Sequence, residues 1–144
     1  MIDQTDAGSI ARVEGFPFVH RDVVRFADVD AMGHVNNAVF LTWMEAARTH
    51  FMLQRGLARG VDALGMILAR AEVDFRSPVR FGEDIQVGVR PSRLGNKSFE
   101  LAYEVRAGDR LAAEGTSVLV AYDYAGQESM ALPERWRDAL QVRA

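Results

Sequence analysis

An aspartate in a short, glycine-containing loop is the residue of this chain best suited to chemistry. The loop runs from Asp28 to Asn37, between a run typical of a strand and a run typical of a helix. The first N–H groups of a helix have no partner within it, and they carry the positive end of the helix dipole. Such a helix start can polarise a carbonyl oxygen while a nearby carboxylate attacks the carbon or activates water. The pattern indicates acyl transfer or hydrolysis, with Asp30 as the candidate carboxylate.

The same loop residues also have a structural interpretation. A loop aspartate often accepts hydrogen bonds from its own turn, and a single histidine such as His34 more often serves a turn than catalysis. Asp28 is expected to brace the loop, and Gly33 to permit a backbone conformation or a close approach that a Cβ would hinder. The backbone N–H groups predicted to hold the carbonyl oxygen of a substrate belong to Gly33, His34 and Val35.

The helix that follows the loop supplies candidate substrate contacts. Asn36 and Asn37 are suited to cap its first turn, an interaction worth about 1 kcal/mol. Either side-chain amide could instead contact the acyl carbonyl or the attacking water. Phe40 is predicted to line an acyl pocket, as could Trp43 and Met66. Packing in the core would explain the apolar side chains of the helix equally well.

Three further ionisable residues are weaker candidates. Glu45 lies well inside the helix, where pairing with an arginine or the backbone is the expected role. It ranks with His34 as the next catalytic candidate after Asp30. His20 and His50 have no neighbouring groups in the sequence that would suggest a site.

Composition limits the classes of protein that fit. The chain has 144 residues, enough for one domain with a substantial core, here expected over residues 16–144 after a polar arm at residues 1–15. It has no cysteine, which excludes disulfides, thiolate nucleophiles and thiolate metal sites. A net charge of -3 argues against a general nucleic-acid binder. With no apolar run long enough to span a membrane and no signal-peptide pattern, we expect a cytoplasmic location and no membrane partner.

Hydrophobic periodicity predicts the elements that flank the loop. Phe16 to Ala27 reads as a strand rich in β-branched and aromatic residues. Apolar residues at helical spacing then predict one helix from Ala38 to Arg55, ending near Gly56. A short helix from Pro133 to Val142 closes the chain, with Pro133 suited to its first position.

Between the two helices, alternating apolar and polar residues predict four strands in a row. They cover residues 67–75, 85–91, 99–105 and 111–122. Pro91 predicts an edge or a bulge, and the apolar run at residues 118–121 predicts burial on both faces. One long helix on one face of an antiparallel sheet is an α+β architecture. Its uncovered surface and edges predict pairing with a second copy of the chain.

The segment from Arg25 to Phe40, followed by Glu45–Arg48, resembles the 4-hydroxybenzoyl-CoA thioesterase family of hotdog-fold proteins. The segments Val73–Glu83 and Asn96–Leu101 are similar to the family's second strand with its Pro/Gly turn and to the start of its fourth strand. The resemblance covers about residues 17 to 135. Its most specific part is the run Asp-x-Asp-x-x-Gly-His-Val-Asn-Asn within the loop.

The resemblance implies a fold, an assembly and a reaction. The fold is a long central helix wrapped by a five-stranded antiparallel sheet. The assembly is a homodimer or homotetramer with active sites at the subunit interface. The reaction is hydrolysis of an acyl-CoA substrate to free acid and CoA, without a metal or an organic cofactor. Asp30 maps onto the family's catalytic carboxylate, and it would act either as a nucleophile or as a general base.

Two details of the resemblance concern individual residues. Some members carry a histidine where this chain has Asn37, so a histidine-assisted variant of the reaction is not expected here. Lys97 and Ser98 fall within a matched segment and are predicted to bind substrate, Lys97 through the CoA phosphates. Weaker candidates for the same phosphate contacts are Arg76, Arg80 and Arg93.

Three alternatives stay open at the level of sequence. A hotdog dehydratase or hydratase would need a catalytic His and carboxylate in a motif that this chain lacks. A non-catalytic module would bind acyl-CoA without releasing the thiol. An acyl-carrier-protein thioesterase would need a basic docking patch, and the scattered arginines do not decide whether one exists.

Overall fold

The structure is a computed structural model that describes residues 13, 15–60 and 64–141. Its elements in chain order are β1 (Phe18–Val23), α1 (Asn37–Gln54), β2 (Met66–Phe75), β3 (Asp84–Leu94), β4 (Ser98–Ala107), β5 (Arg110–Asp123), β6 (Glu128–Ser129) and α2 (Glu134–Ala139). A 3₁₀ turn at Phe26–Asp28 follows β1. Most of the predicted polar arm at residues 1–15 lies outside the described residues.

Five strands form one antiparallel sheet in the order β1-β3-β4-β5-β2, and β6 pairs with β5. α1 packs on this sheet against β1, β3 and β4. Buried apolar side chains of both layers make the core, among them Trp43, Ala47, Phe51, Val87, Leu101 and Val105. One long helix against a five-stranded antiparallel sheet is the arrangement that the resemblance implied, so the expected α+β hotdog architecture is confirmed.

Local sequence determines both ends of α1. Asn36 is the N-cap, and its Oδ1 accepts a hydrogen bond from the N–H of Ala38 at 3.0 Å. Beyond the other end, Gly56 has a φ of 72°, in the left-handed region that glycine favours. The N–H of Leu57 then donates back to the carbonyl of Met52 at 2.9 Å. A helix fixed in this way holds the loop before it in a defined place.

The first strand is shorter than predicted. β1 ends at Val23 rather than continuing to Ala27. The chain turns because the Asp28 carboxylate accepts the N–H of Arg25 at 2.8 Å and closes the 3₁₀ turn. Phe26, which the pattern placed in the strand, is 84% exposed in this turn.

The predicted burial of residues 118–121 on both faces is wrong for a single chain. Leu119 and Ala121 are buried, whereas Val118 and Val120 are only half-buried. The reason is that α1 covers one face of the sheet. By contrast, the irregularity predicted at Pro91 is confirmed, because the β3–β4 register shifts between Pro91 and Arg93.

The closing helix is also shorter than predicted. α2 spans Glu134–Ala139, with Leu140 as its C-cap. Pro133 is its N-cap rather than its first helical residue. The predicted end at Val142 lies outside the described residues. In the described part of the chain, neither helix is long and apolar enough to cross a membrane.

β2 is an edge strand with exposed apolar side chains. It pairs with β5 on one side only. Ile67, Leu68 and Phe75 are 39%, 45% and 44% exposed. An edge with unpaired backbone groups and apolar side chains favours pairing with another strand.

Candidate active site

The loop before α1 is a small closed hairpin. Val29 and Val35 form an isolated antiparallel bridge. Inside it, the N–H of Asp30 donates to the carbonyl of His34 at 2.8 Å, and the N–H of Gly33 donates to the carbonyl of Asp30 at 3.0 Å. Gly33 makes the tight turn possible, because its φ of 82° is one that L side chains rarely adopt. The backbone thus holds Asp30 in a fixed position.

The Asp30 carboxylate has one oxygen engaged by its own turn. Its Oδ1 accepts the N–H of Met32 at 2.9 Å and, more weakly, the N–H of His34 at 3.4 Å. This is the turn-capping role expected of a loop aspartate. Among the described residues nothing donates to Oδ2, so the second oxygen can face a substrate or a water.

Asp28 braces the loop from behind. It is buried, and its Oδ1 accepts a hydrogen bond from the Arg25 guanidinium at 3.1 Å. Its main-chain carbonyl accepts the N–H of Asn36 at 2.9 Å, which ties the turn to the start of α1. Burial tends to raise the pKa of Asp28, but the hydrogen bonds and charge of Arg25 outweigh it and hold that pKa below its usual value.

Most of the N–H groups predicted to polarise a carbonyl already donate hydrogen bonds to other residues of the chain. The N–H of Gly33 donates to Asp30 as described, and that of Val35 donates to the carbonyl of Val79 at 2.7 Å. The N–H of His34 donates, among the described residues, only in the long bond to Asp30 Oδ1. At the start of α1, the N–H of Asn37 has no acceptor among the described residues. The polarising role of Gly33, His34 and Val35 stays a prediction. The backbone N–H of Asn37 is a further donor, whereas the sequence had suggested Asn37 through its side-chain amide.

A cavity of about 380 Å³ opens beside this loop. Its walls are Asp30, Met32, His34, Val35, Asn36, Asn37, Phe40, Phe75, Arg76, Ser77 and Pro78. The structure therefore brings the candidate carboxylate, the helix start and three of the predicted substrate contacts (Asn36, Asn37 and Phe40) to one place. Gly33 shapes the loop without lining the cavity.

The far wall of the cavity comes from the end of β2. The rings of Phe40 and Phe75 meet edge to face, with centroids 5.3 Å apart. Arg76 lies next to them and pairs with Glu114 at 2.8 Å, and that carboxylate raises the pKa of Arg76. Sequence reasoning missed Phe75 and Ser77 as cavity residues, because nothing in the alternation of β2 shows that its last residues face the loop.

Lys97 and Ser98 lie at the opposite end of the sheet. The carbonyl of Lys97 accepts the N–H of Ala121 at 2.9 Å, whereas the backbone N–H of Arg76, at the cavity, donates to the carbonyl of Ala112 at 2.8 Å. At about 3.3 Å per residue, the stretch of β5 between these contacts spans about 30 Å. Within one chain, these two predicted substrate contacts do not share the cavity with Asp30.

Glu45 belongs to a different part of the surface. It pairs with Arg48 at 3.5 Å, as expected, and does not line the Asp30 cavity. Nearby, the Tyr103 hydroxyl and Ser117 Oγ share a buried hydrogen bond of 2.6 Å, and burial raises the pKa of Tyr103. Trp43 and Met66 are buried in the core. Across the described residues, no group of three or more His, Asp or Glu side chains is placed to hold a metal ion.

A family model covers most of the chain. The model described as "Thioesterase-like superfamily" matches residues 24–140. The match includes the loop, α1, the strands β2 to β6 and α2.

Individual relatives show similarity along most of their length. A 1,4-dihydroxy-2-naphthoyl-CoA hydrolase of Prochlorococcus marinus is 28% identical over 136 residues, covering 85% of this chain and 90% of the relative. A thioesterase of Thermus thermophilus, solved in complex with coenzyme A and Zn, is 41% identical with a TM-score of 0.80, covering 89% and 95% of the two chains. A gentisyl-coenzyme A thioesterase is 25% identical with a TM-score of 0.75, covering 85% and 98%.

Proposed function

This chain belongs to the thioesterase-like superfamily, and from that premise we propose that it is an acyl-CoA thioesterase, which hydrolyses its substrate to free acid and CoA. The observation that carries the proposal is the Asp30 carboxylate, held at the wall of the 380 Å³ cavity beside the first turn of α1. Relatives of the same fold are named as hydrolases of CoA thioesters, and one was solved with coenzyme A.

In this proposal the start of α1 stabilises the charge that develops on the thioester oxygen. The N–H of Asn37 is available, and the helix dipole adds positive potential at the same point. The N–H groups of Gly33 and Val35 would first have to leave their acceptors, the carbonyls of Asp30 and Val79. We therefore assign the carbonyl contact to Asn37, with His34 as the second donor.

Asp30 supplies the carboxylate for one of two routes. As a general base, its free Oδ2 takes a proton from water, whose oxygen adds to the carbonyl carbon. As a nucleophile, Oδ2 forms a mixed anhydride that water then cleaves. In both routes the C–S bond breaks, and the CoA sulfur leaves and takes up a proton. A reaction with enzyme in excess over substrate, quenched rapidly, distinguishes the two routes. An acyl group attached to the chain in the mass spectrum would identify the nucleophile route.

The acyl group to test first is an aromatic one. Phe40 and Phe75 give the cavity an apolar wall on which a planar ring can pack. The Prochlorococcus relative and the gentisyl-coenzyme A thioesterase are both named for aromatic acyl groups.

We also propose that two copies share each active site. In this arrangement β2 pairs antiparallel with β2 of a second copy related by a two-fold axis. The backbone N–H and C=O groups at both exposed edges can then hydrogen-bond to each other. This pairing places the Phe75 end of one strand beside the Met66 end of the other. The cavity of one copy then faces the end of the partner's sheet where Lys97 and Ser98 lie. These residues are at the start of β4, which is separated from the β2 edge by β5. CoA phosphates could reach Lys97 of the partner subunit while the thioester lies at Asp30.

Thiol release from a panel of acyl-CoA esters, aromatic and aliphatic, tests the proposed reaction. The wild type should release CoA, and Asp30→Asn should lose at least about a hundredfold in rate, within the usual contribution of a positioned acid or base. Asparagine keeps an oxygen that can accept from Met32, so the loop should retain its shape.

Asp109→Asn is the matched control, because Asp109 is an exposed carboxylate in the β4–β5 turn. It should leave the rate unchanged. Equal release by wild type and Asp30→Asn would contradict the role of Asp30. Saturable binding of the esters by the wild type without release of CoA would instead identify a binding module. Thiol release only from esters of an acyl carrier protein would show that this protein, and not CoA, carries the acyl group.

A further inference from the structure

Two histidines outside the active site meet between α1 and β1. The Nδ1 atoms of His20 and His50 are 2.9 Å apart, although 30 residues separate them in the chain. The rings meet obliquely, with centroids 4.7 Å apart and planes inclined by 50°. Nothing in the sequence indicates this pair, because packing of the helix on the strand creates it. Phe18 and Phe51, next to the pair, make that packing contact at 5.7 Å.

A carboxylate orients one of the two rings. His20 Nε2 lies 3.3 Å from Oδ2 of Asp22. A nitrogen that donates to a carboxylate carries the proton, so Nδ1 of a neutral His20 ring keeps its lone pair. That lone pair lies at hydrogen-bond distance from His50 Nδ1, which donates to it when His50 carries its proton there. With the His50 proton on Nε2 instead, His50 Nδ1 has a lone pair as well. The His20 side chain is only 12% exposed, whereas His50 lies at the surface.

We propose that His20 and His50 form a binding site for a divalent late first-row transition-metal ion, with both Nδ1 atoms as ligands. Metal–imidazole bonds of about 2.0–2.1 Å that meet at a right angle place their nitrogens about 2.9 Å apart. The tetragonal geometry of Cu²⁺ provides such right angles. Tetrahedral Zn²⁺ would need the two nitrogens about 3.3 Å apart, a shift of a few tenths of an ångström.

The three residues repeat an arrangement common around bound metals. A ligating histidine usually donates its other ring N–H to a carboxylate, which fixes the ring and raises its basicity. Asp22 Oδ2 is placed to accept the Nε2–H of His20 and so to fix the orientation of this ring. The described residues offer no third side-chain ligand, so water on the exposed side of His50 would complete the coordination. The ion would link the second half of α1 to β1 and stabilise that contact by binding only the folded chain.

Cu²⁺ titration of the tag-free, full-length chain tests the site without reference to thioesterase activity. We expect one Cu²⁺ per chain, with nitrogen hyperfine structure from two imidazoles in the electron paramagnetic resonance spectrum. His50→Ala should bind at least about tenfold more weakly and show a single imidazole. Because His50 is exposed, this variant should fold, and circular dichroism checks that it does. Zn²⁺ should raise the thermal midpoint of the wild type and not that of His50→Ala.

The chain has three histidines, so His34→Ala is the matched control, and it should bind Cu²⁺ like the wild type. Asp22→Asn should bind more weakly than the wild type, because it removes the carboxylate that orients His20. Failure of the wild type to bind near-stoichiometric Cu²⁺ or Zn²⁺ would overturn the proposal. So would binding that survives His50→Ala or disappears in His34→Ala.

Discussion

Single residues around Asp30 are held by hydrogen bonds that the sequence only partly indicates. The loop aspartates, the glycine and the cap were recognisable, because turns and helix starts use these residue types for local reasons. The sequence predicted that Asp28 braces the loop, but it did not show that this side chain is buried or that Arg25 is its partner. The structure buries Asp28 against Arg25, whereas Oδ2 of Asp30 has no donor in the described part of the chain. That division gives the first aspartate a structural role and leaves the second available for chemistry.

Asp28→Asn should lower stability in a pH-dependent way. The folded chain holds the pKa of Asp28 below its unfolded value of about 3.9. Its contribution is therefore fully present above that value and is lost as the pH falls towards the folded pKa. Urea unfolding should show a loss of about 1–3 kcal/mol at pH 7 for this variant.

The loss should shrink as the pH falls below about 4. The same measurements on Asp109→Asn, which changes an exposed turn carboxylate, serve as the control and should show little loss at either pH. A loss for Asp28→Asn that is the same at pH 7 and pH 3 would contradict the assignment.

At the scale of elements, the sequence predicted the helix and strands that hydrophobic periodicity marks, and it missed features that depend on contacts between distant parts of the chain. The helix from Ala38 to Arg55 and the strands after it are close to the observed bounds, since apolar spacing follows the elements directly. The end of β1 was missed because the Asp28 carboxylate accepts the N–H of Arg25 and the chain turns there. The place of Phe75 in the cavity wall was missed because it depends on how the sheet brings the end of β2 to the loop of Asp30.

The pairing of β2 with β5 depends on a glycine at close approach. A Cβ on Gly115 would overlap the carbonyl oxygen of Glu72 on the neighbouring strand, which belongs to the backbone and cannot move aside easily. A Cβ on Gly88 would instead meet the base of the Phe16 side chain, and Phe16 precedes β1 and lies outside the paired strands, where a shift disturbs the sheet less. Gly115→Ala should therefore lower the thermal midpoint more than Gly88→Ala, as scanning calorimetry would measure. A larger loss for Gly88→Ala would contradict this view of the sheet.

At the scale of the whole molecule, the single chain leaves an apolar strand edge exposed and two predicted substrate contacts far from the Asp30 cavity. The edge of β2 is exposed and apolar, and a stretch of β5 of about 30 Å separates the cavity wall at Arg76 from the two predicted substrate contacts, Lys97 and Ser98. The sequence predicted pairing of copies from the uncovered sheet. It could not show which edge pairs, because that depends on strand order rather than on the composition of any one strand.

Charging the β2 edge should separate the copies. Ile67→Lys and Leu68→Glu place charges where a second strand would pack, so light scattering should show a shift towards the 16.0 kDa chain. Val23→Lys is the control, because Val23 is 59% exposed at the end of β1 on the opposite edge of the sheet. An assembly unaffected by the β2 changes and lost with Val23→Lys would place the interface on β1.

The separation of Asp30 from Lys97 along the sheet also has a genetic consequence. If each site takes its carboxylate from one copy and its lysine from the other, two differently damaged alleles can rescue each other. In a mixed pair of Asp30→Asn and Lys97→Ala chains, one site carries both lesions and the other carries none. Random mixing would restore about a quarter of the wild-type sites, although neither variant alone has an intact one. Complementation between two inactive copies in one cell would then report the geometry of the assembly.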